Sequence, residues 1–173
     1  MKVLVAVASR HRATRDIAEV IADELKTSGL DVDLRDAEAV PDIGGYEAVI
    51  LGSAVYTGGW LAAARHLVDF QGPTLRNVPV WLFSSGPIGT DEPRLLGDPP
   101  EILYLMRTTQ AREHRMFPGR LDKGSLEIAE RTVSRVVEAP EGDYRDLSEV
   151  IEWANSIASQ LAAREPADPK ERS

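Results

Sequence analysis

Three stretches of this sequence have the composition of loops that bind a charged ligand. Each combines hydroxyl residues with glycine or basic residues, and each directly follows a short apolar run. They are SRHRAT at residues 9–14, SAVYTGGW at residues 53–60 and SSGPIGTDE at residues 84–92. Backbone amides and hydroxyls of such loops can bind a phosphate, and aromatic side chains can stack on a planar ring.

The first stretch is either a phosphate-binding loop or a tight turn between a strand and a helix. A loop that leads into a helix presents free backbone N–H groups and the positive end of the helix dipole. The hydroxyls of Ser9 and Thr14 could add donors, and Arg10 or Arg12 could add charge. In the alternative, Thr14 is the N-cap of the helix and Ser9 only ends the strand. These residues alone leave both interpretations open.

The second stretch places Tyr56 and Trp60 on either side of Gly58 and Gly59. Aromatic rings at the mouth of a parallel sheet could stack on a planar ring. In the alternative, Trp60 begins the next helix and packs in the core. In the third stretch, glycines among the hydroxyl residues would let backbone amides approach a ligand closely, although an ordinary wide turn has the same composition.

Strand-like and helix-like patterns alternate along the whole chain. Strands are predicted at residues 2–8, 31–36, 48–55, 79–85 and 113–117. Helical spacing is predicted at residues 14–26, 61–68, 102–106, 126–133 and 147–161. This alternation predicts an α/β fold, a five-stranded parallel sheet in the order 2-1-3-4-5 with helices on both faces. Ligands of such sheets bind beyond the carboxyl ends of the strands, where the three stretches lie.

The composition limits the class of protein. A chain of 173 residues predicts one domain at residues 1–163, followed by a polar, disordered tail at residues 164–173. The absence of cysteine excludes disulfides and thiolate metal sites, and it fits a cytoplasmic protein. The net charge of -8 argues against nucleic-acid binding. No apolar run is long enough to span a membrane, and the oligomeric state stays open.

Other motifs do not point to a catalytic centre. The three histidines, His11, His66 and His114, lack the spacing of metal ligands, so no metal site is expected. His66 is predicted to be a surface residue. The GxSxG, GxGxxG and GxxxxGK[ST] motifs are missing, and no catalytic acid or base is singled out. A basic stretch at residues 107–123 is either a solvated face or a contact for an acidic partner, a membrane surface or a propionate-bearing substrate.

Residues 2–161 resemble the flavodoxin family. The SRHRAT stretch matches the first and last positions of the T/S-x-T-G-x-T phosphate loop, and GSAVYTGGW and FSSGPIG resemble the loops that enclose the ring of FMN. The helices RDIAEVIADEL and YRDLSEVIEWANSIASQL are most similar to the protoporphyrinogen-oxidase type, a menaquinone-dependent branch. The resemblance implies a flavodoxin-like three-layer doubly wound sandwich that passes electrons from a reduced substrate to quinone through FMN.

The resemblance also implies a set of cofactor-binding residues. Those expected at the phosphate are Ser9, Arg10, His11, Arg12, Ala13 and Thr14. Those expected near the ring are Ser53, Ala54, Val55, Tyr56, Thr57, Gly58 and Trp60. Those expected beside its pyrimidine edge are Ser84, Ser85, Gly86, Pro87 and Gly89.

Two residues depart from the family pattern. His11 stands where a threonine is expected, and Arg12 replaces a glycine. The Arg12 guanidinium could bind the phosphate or block its pocket, and a deazaflavin would suit the same planar slot. Three functions therefore stay open. They are an FMN-dependent oxidoreductase acting on a small organic substrate or quinone, an electron carrier that docks to a redox partner protein, and a cofactor-less interaction domain.

Overall fold

A parallel sheet of five long strands forms the centre of the protein in a computed structural model, which describes residues 1–56, 58–86, 100–121, 142–143 and 146–164. These strands are β1 (Lys2–Ala8), β2 (Asp31–Asp36), β3 (Ala48–Tyr56), β5 (Val80–Gly86) and β6 (Glu113–Pro118). Their order is β2-β1-β3-β5-β6. Counted among the parallel strands alone, this is the predicted order 2-1-3-4-5, which is confirmed.

Three short strands accompany this sheet. Strand β4 (Gly59–Trp60) pairs antiparallel with the end of β3, so the two form a hairpin. Strands β7 (Arg120–Leu121) and β8 (Gly142–Asp143) pair antiparallel in a separate ribbon. Sequence reasoning did not predict any of the three, because strands of two residues have no measurable periodicity.

Helices cover both faces of the sheet, as the alternating pattern predicts. They are α1 (Arg12–Thr27), α2 (Ala62–Leu75), α3 (Pro100–Thr109) and α4 (Leu147–Ala162), with a 3-10 turn at Ala37–Ala39. The predicted capping pattern begins α4, because Asp146 Oδ1 accepts hydrogen bonds from the amides of Ser148 and Glu149 at 2.9 and 3.4 Å. The helix predicted at residues 126–133 and the tail beyond residue 164 lie outside the described residues.

The core consists of two layers, one on each face of the sheet. Helices α1 and α4 cover one face, where the rings of Phe83, Phe117 and Trp153 contact one another at centroid distances of 5.5–6.3 Å. Helices α2 and α3 cover the other face, and Trp60 is buried there. Strands β1 and β5 lie between the two layers, which explains why apolar residues predominate in both sequences.

A hydrogen-bonded pair lies between the edge strand β2 and the chain that leads into β3. Tyr46 Oη donates to Asp33 Oδ2 at 2.7 Å. The hydrogen bond from Tyr46 lowers the pKa of Asp33, with smaller contributions from Lys2 and Arg35 against the opposing effect of burial. Burial raises the pKa of Tyr46, and the hydrogen bond to Asp33 adds to it.

These two shifts predict opposite effects of pH on stability. The lowered pKa of Asp33 stabilises the fold above its unfolded value of 3.8, and this contribution is lost as pH falls through the folded value. The raised pKa of Tyr46 stabilises the fold below 10.0, and this contribution is lost as pH rises through the folded value. We expect Tyr46→Phe to flatten the alkaline limb in urea unfolding measured across pH. Parallel alkaline limbs in both proteins would contradict the assignment.

Candidate functional site

The loops after β1, β3 and β5 begin at the same edge of the sheet. In the strand register, Ala8 lies beside Ser53, Ser53 beside Ser84, and Ser84 beside Met116. The chain therefore leaves these three strands almost level with one another. This alignment brings the first two predicted stretches and the start of the third together, as the fold class predicts.

The first loop leads directly into α1. The helix begins at Arg12, two residues earlier than its spacing predicts, and His11 is its extended N-cap with φ -119° and ψ 145°. Thr14 lies buried in the first turn, 3% exposed, so the alternative that Thr14 is the N-cap is wrong. The side chain of His11 caps none of the first-turn amides, and the first turn carries no acidic residue. This helix end has the donors and the dipole to receive an anion.

Side chains of the first loop contact the second loop at Tyr56. The guanidinium carbon of Arg10 lies 5.6 Å from the centroid of the Tyr56 ring, and the His11 ring centroid lies 6.2 Å from it in an edge arrangement. The Ser9 hydroxyl donates to the carbonyl of His11, which closes the first loop on itself. Tyr56 is half-buried, so part of its ring faces solvent beside the start of α1.

The side chain of Arg12 is directed along α1. Its Nε lies 3.3 Å from Asp16 Oδ1, one helical turn further on, and the side chain is 82% exposed. An exposed ion pair of this kind contributes little to stability. The guanidinium adds positive charge near the start of α1 while its contact with Asp16 holds it on the helix surface.

The second loop is a hairpin of β3 and β4 that three hydrogen bonds anchor. The amide of Leu61 donates to Ser53 Oγ at 3.0 Å, and the amide of Trp60 donates to Glu101 Oε2 at 2.7 Å. The indole Nε1 of Trp60 donates to Ser84 Oγ at 2.7 Å. Gly58, at the tip, has φ +78°, a conformation that glycine adopts without strain. These bonds fix the hairpin on which Tyr56 lies.

Trp60 packs in the core, as one of the two alternatives predicted. Its side chain is 3% exposed and contacts the cluster beneath α2 and α3. It does not begin the helix, however, because it belongs to β4 and α2 begins at Ala62. The remaining predicted residues of this loop, Ala54 and Val55, continue β3, whereas Thr57 lies outside the described residues.

The third loop begins at the end of β5, where Ser84 and Ser85 are buried. The carbonyl of Gly86 accepts a hydrogen bond from the amide of Gly119 at 2.6 Å, and a Cβ built on Gly119 would lie 2.7 Å from that oxygen. Glycine at 119 therefore allows the chain after β6 to pack against the end of β5. The predicted residues Pro87 and Gly89 lie outside the described residues.

A family model described as a flavodoxin domain matches residues 4–148. The chain belongs to this family. The matched residues include the three stretches at residues 9–14, 53–60 and 84–92. The resemblance stated from the sequence is therefore confirmed at the level of the family and the fold.

The flavodoxin-domain chain also matches curated relatives over part of its length. The protoporphyrinogen IX dehydrogenase [quinone] of Escherichia coli K12 is 28% identical over 86 residues, which are 49% of this chain and 48% of the relative. The relatives of Escherichia coli O6:H1 and O157:H7 with the same description have the same identity and coverage. The match thus spans about half the length of the curated relatives.

Solved structures share the fold of this flavodoxin-domain protein. A flavodoxin from the domain Archaea has a TM-score of 0.62 at 17% identity and covers 94% of this chain and 99% of its own. Streptococcus pneumonia TIGR4 flavodoxin has 0.63 at 19% identity, with coverage of 95% and 100%. The rubredoxin oxygen:oxidoreductase of Desulfovibrio gigas has 0.66 at 17% identity, covering 96% of this chain and 37% of its own.

Two residues of the site have no signal in the sequence. Glu101, in the first turn of α3, binds the backbone of the hairpin, and His114 Nε2 lies 2.8 Å from Ser84 Oγ. Glu101 and His114 come 41 and 30 residues after their partners Trp60 and Ser84. A capping role for Glu101 and a strand position for His114 are the ordinary interpretations of both residues.

The described histidine and acidic side chains form no metal-binding cluster. Within the ranges that the structure describes, no three histidine or acidic side chains come together as metal ligands. His66 is exposed on α2, as predicted. None of the described helices is both long enough and apolar enough to cross a bilayer.

Proposed function

We propose that this flavodoxin-domain protein binds FMN and transfers electrons between a small organic substrate or quinone and a redox partner. One observation supports the proposal above all others. The uncapped start of α1 and the Tyr56 hairpin lie at the same edge of the sheet and contact each other through Arg10 and His11. A phosphate bound at the first and a ring bound at the second would thus be adjacent.

The residues at the start of α1 fit a phosphate. The first-turn amides have no acidic neighbour in that turn, and buried Thr14 adds a hydroxyl. Arg10 is exposed beside them, and Arg12 adds charge from the helix surface. Helix amides, the dipole and nearby guanidinium groups are the usual means by which proteins stabilise a phosphate.

The residues of the hairpin fit a planar ring. The half-buried Tyr56 offers an aromatic face, and the anchored hairpin holds it in place before any ligand binds. The backbone at the end of β5, from Ser85 to Gly86, lies at the same edge and would contact the ring from its pyrimidine side. We assign Trp60 to support of the hairpin, since its ring is buried in the core.

The bound FMN would supply the redox chemistry. The protein's own residues would bind the phosphate, orient the ring and exclude water from one of its faces. The same residues would accept a deazaflavin of the same shape.

The description of the relatives as quinone-dependent protoporphyrinogen IX dehydrogenases favours a quinone as the electron acceptor. The net charge of -8 favours the second candidate, an electron carrier that docks to a basic redox protein. We place the protein in the cytoplasm, since it has no cysteine.

Titration of the purified protein with FMN tests the proposal directly. We expect quenching of flavin fluorescence with saturable, one-to-one binding, and much weaker binding of riboflavin, which lacks the phosphate. A parallel titration with the deazaflavin mononucleotide distinguishes the two cofactors. Failure to bind either nucleotide would contradict the proposal and favour an interaction domain without a cofactor.

Replacing Thr14 with alanine tests the position of the phosphate. We expect FMN affinity to fall about tenfold, because a hydrogen bond to a charged group contributes about 1.5–3 kcal/mol and neighbouring amides remain. Thr27→Ala is the matched control, since Thr27 lies at the opposite end of α1 and its hydroxyl donates to the carbonyl of Asp23. Equal affinity of the Thr14 variant and the control would place the phosphate elsewhere.

A further inference from the structure

We propose that His114 is a positioning residue for the flavin site. Through Ser84 it holds the indole of Trp60, and thereby the hairpin that carries Tyr56, and protonation of His114 loosens this hairpin and weakens flavin binding. The inference rests on the proposed function for its ligand. Its structural half concerns the hairpin alone and can be measured without flavin.

A chain of two hydrogen bonds joins the edge strand to the hairpin. His114 Nε2 on β6 lies 2.8 Å from Ser84 Oγ on β5, and Ser84 Oγ lies 2.7 Å from Trp60 Nε1 on β4. Ser84 is fully buried, and Trp60 is nearly so. Since buried polar groups are costly to leave unpaired, the state of one end of this chain affects the other.

The donors and acceptors along these two hydrogen bonds favour the neutral tautomer of His114 that leaves Nε2 unprotonated. The indole N–H of Trp60 can only donate, so Ser84 Oγ accepts from it. The Ser84 hydroxyl hydrogen can then be donated to an unprotonated Nε2 of His114. Protonation of His114 makes Nε2 a second donor toward Ser84 Oγ. Among the described residues Ser84 Oγ has only these two partners. With both of them donating, the hydroxyl hydrogen of Ser84 would have to point away from both.

The loss of the hydrogen bond between Ser84 and Trp60 would affect the β3–β4 hairpin most. In the segment Trp60–Leu61, the described contacts of Glu101 and Ser53 are with backbone amides and not with the indole. The bond to Ser84 is the hydrogen bond that holds the indole. Tyr56 pairs with Gly59, the residue before Trp60, in the β3–β4 hairpin. Weakening the bond to Ser84 therefore gives the hairpin freedom that flavin binding would have to remove.

On the described elements around His114, the charged and titratable groups pair with one another or are exposed. Strand β5 has no charged residue. Glu113 and Arg115 bind each other at 3.0 Å, and Glu113 also accepts from Trp153 of α4, on the opposite face of β6. The charged or titratable groups of α2 and α3 are Arg65, His66, Asp69, Glu101, Tyr104 and Arg107. Of these, Arg65 pairs with Glu101 at 3.6 Å, and Tyr104 donates to Asp69.

The first measurement uses the protein without flavin. We expect the indole N–H resonance of Trp60, assigned with Trp60→Phe, to shift when His114 is protonated on acidification. In His114→Gln the resonance should not titrate, because glutamine places an amide near the position of Nε2 without ionising. The control His66→Gln, on the exposed surface of α2, should titrate like the unmodified protein.

The second measurement is FMN affinity across pH in the same proteins. We expect His114→Leu to weaken binding about tenfold near neutral pH, the effect of one buried hydrogen bond, and His114→Gln to stay within about twofold. The unmodified protein should lose affinity on acidification more steeply than His114→Gln does. The phosphate of FMN itself ionises near pH 6, and its effect is common to all variants.

The outcomes separate this inference from the proposed function. A titrating Trp60 resonance with the expected order of affinities supports both. If FMN does not bind, the proposed function fails. A Trp60 resonance that titrates only when His114 is present would still support the structural half of the inference, that His114 affects the hairpin. A Trp60 resonance independent of His114 would overturn the inference, as would equal affinity and equal pH dependence of His114→Leu and the unmodified protein.

Discussion

Replacing Gly52 with alanine is expected to lower the free energy of unfolding by about 3 kcal/mol or more, the upper end of what overpacking costs. Gly52 on β3 lies directly beside Phe83 on β5 in the register. The ring of Phe83 folds over Gly52, so that an added Cβ would overlap the ring atoms Cζ, Cε1 and Cε2. Phe83 is fully buried against Phe117 and Trp153 and has little room to move. Urea unfolding followed by circular dichroism measures the loss.

A double-mutant cycle shows whether the ring is the cause. Alanine restricts the unfolded chain more than glycine does, so without the overlap Gly52→Ala would stabilise the protein by about 0.4–1 kcal/mol. Phe83→Leu replaces the ring with a smaller aliphatic side chain, at the cost of some core packing. We expect the double variant to lose much less stability than the sum of the two single variants. Additive losses would show that the strain at Gly52 has another source.

Replacing Ala13 with aspartate is expected to weaken FMN binding about 100-fold or more while slightly stabilising the free protein. Ala13 lies in the first turn of α1, where the amides have no acidic neighbour. A carboxylate there would interact with the helix dipole and contribute about 0.3–1 kcal/mol. It would also repel the phosphate, and two unit charges about 4 Å apart interact by about 4 kcal/mol at an effective dielectric constant of 20. Flavin titration and urea unfolding measure the two effects separately.

The matched control for this variant is Ala62→Asp. Ala62 is an exposed alanine in the first turn of α2, which also has neither a side-chain cap nor an acidic residue. It should gain similar stability without losing FMN affinity. If both variants weaken binding equally, the effect reports net charge and not a phosphate at the start of α1. If neither weakens it, the proposed phosphate position is wrong.

Local patterns in the sequence determined most of the fold. Burial of β1 and β3 on both faces makes most of their residues apolar, and the solvated edge strand β2 is mostly polar. Asp146 followed by Glu149 marked the start of α4, because a cap depends on residues close in sequence. The right-handedness of parallel crossovers then left few strand orders, and so placed the loops after β1, β3 and β5 at one edge.

The contacts within the site were decided by the tertiary structure. From the sequence, Trp60 could have been a ring-binding residue or a core residue. In the structure its side chain is buried in the core and donates a hydrogen bond to Ser84 of β5. The roles of Glu101 and His114 depend on partners from other elements, and Gly52 is required only because Phe83 is its cross-strand neighbour. Periodicity reports which side of an element is buried. It does not report which side chain of another element lies there, because register and helix packing are set by the whole core.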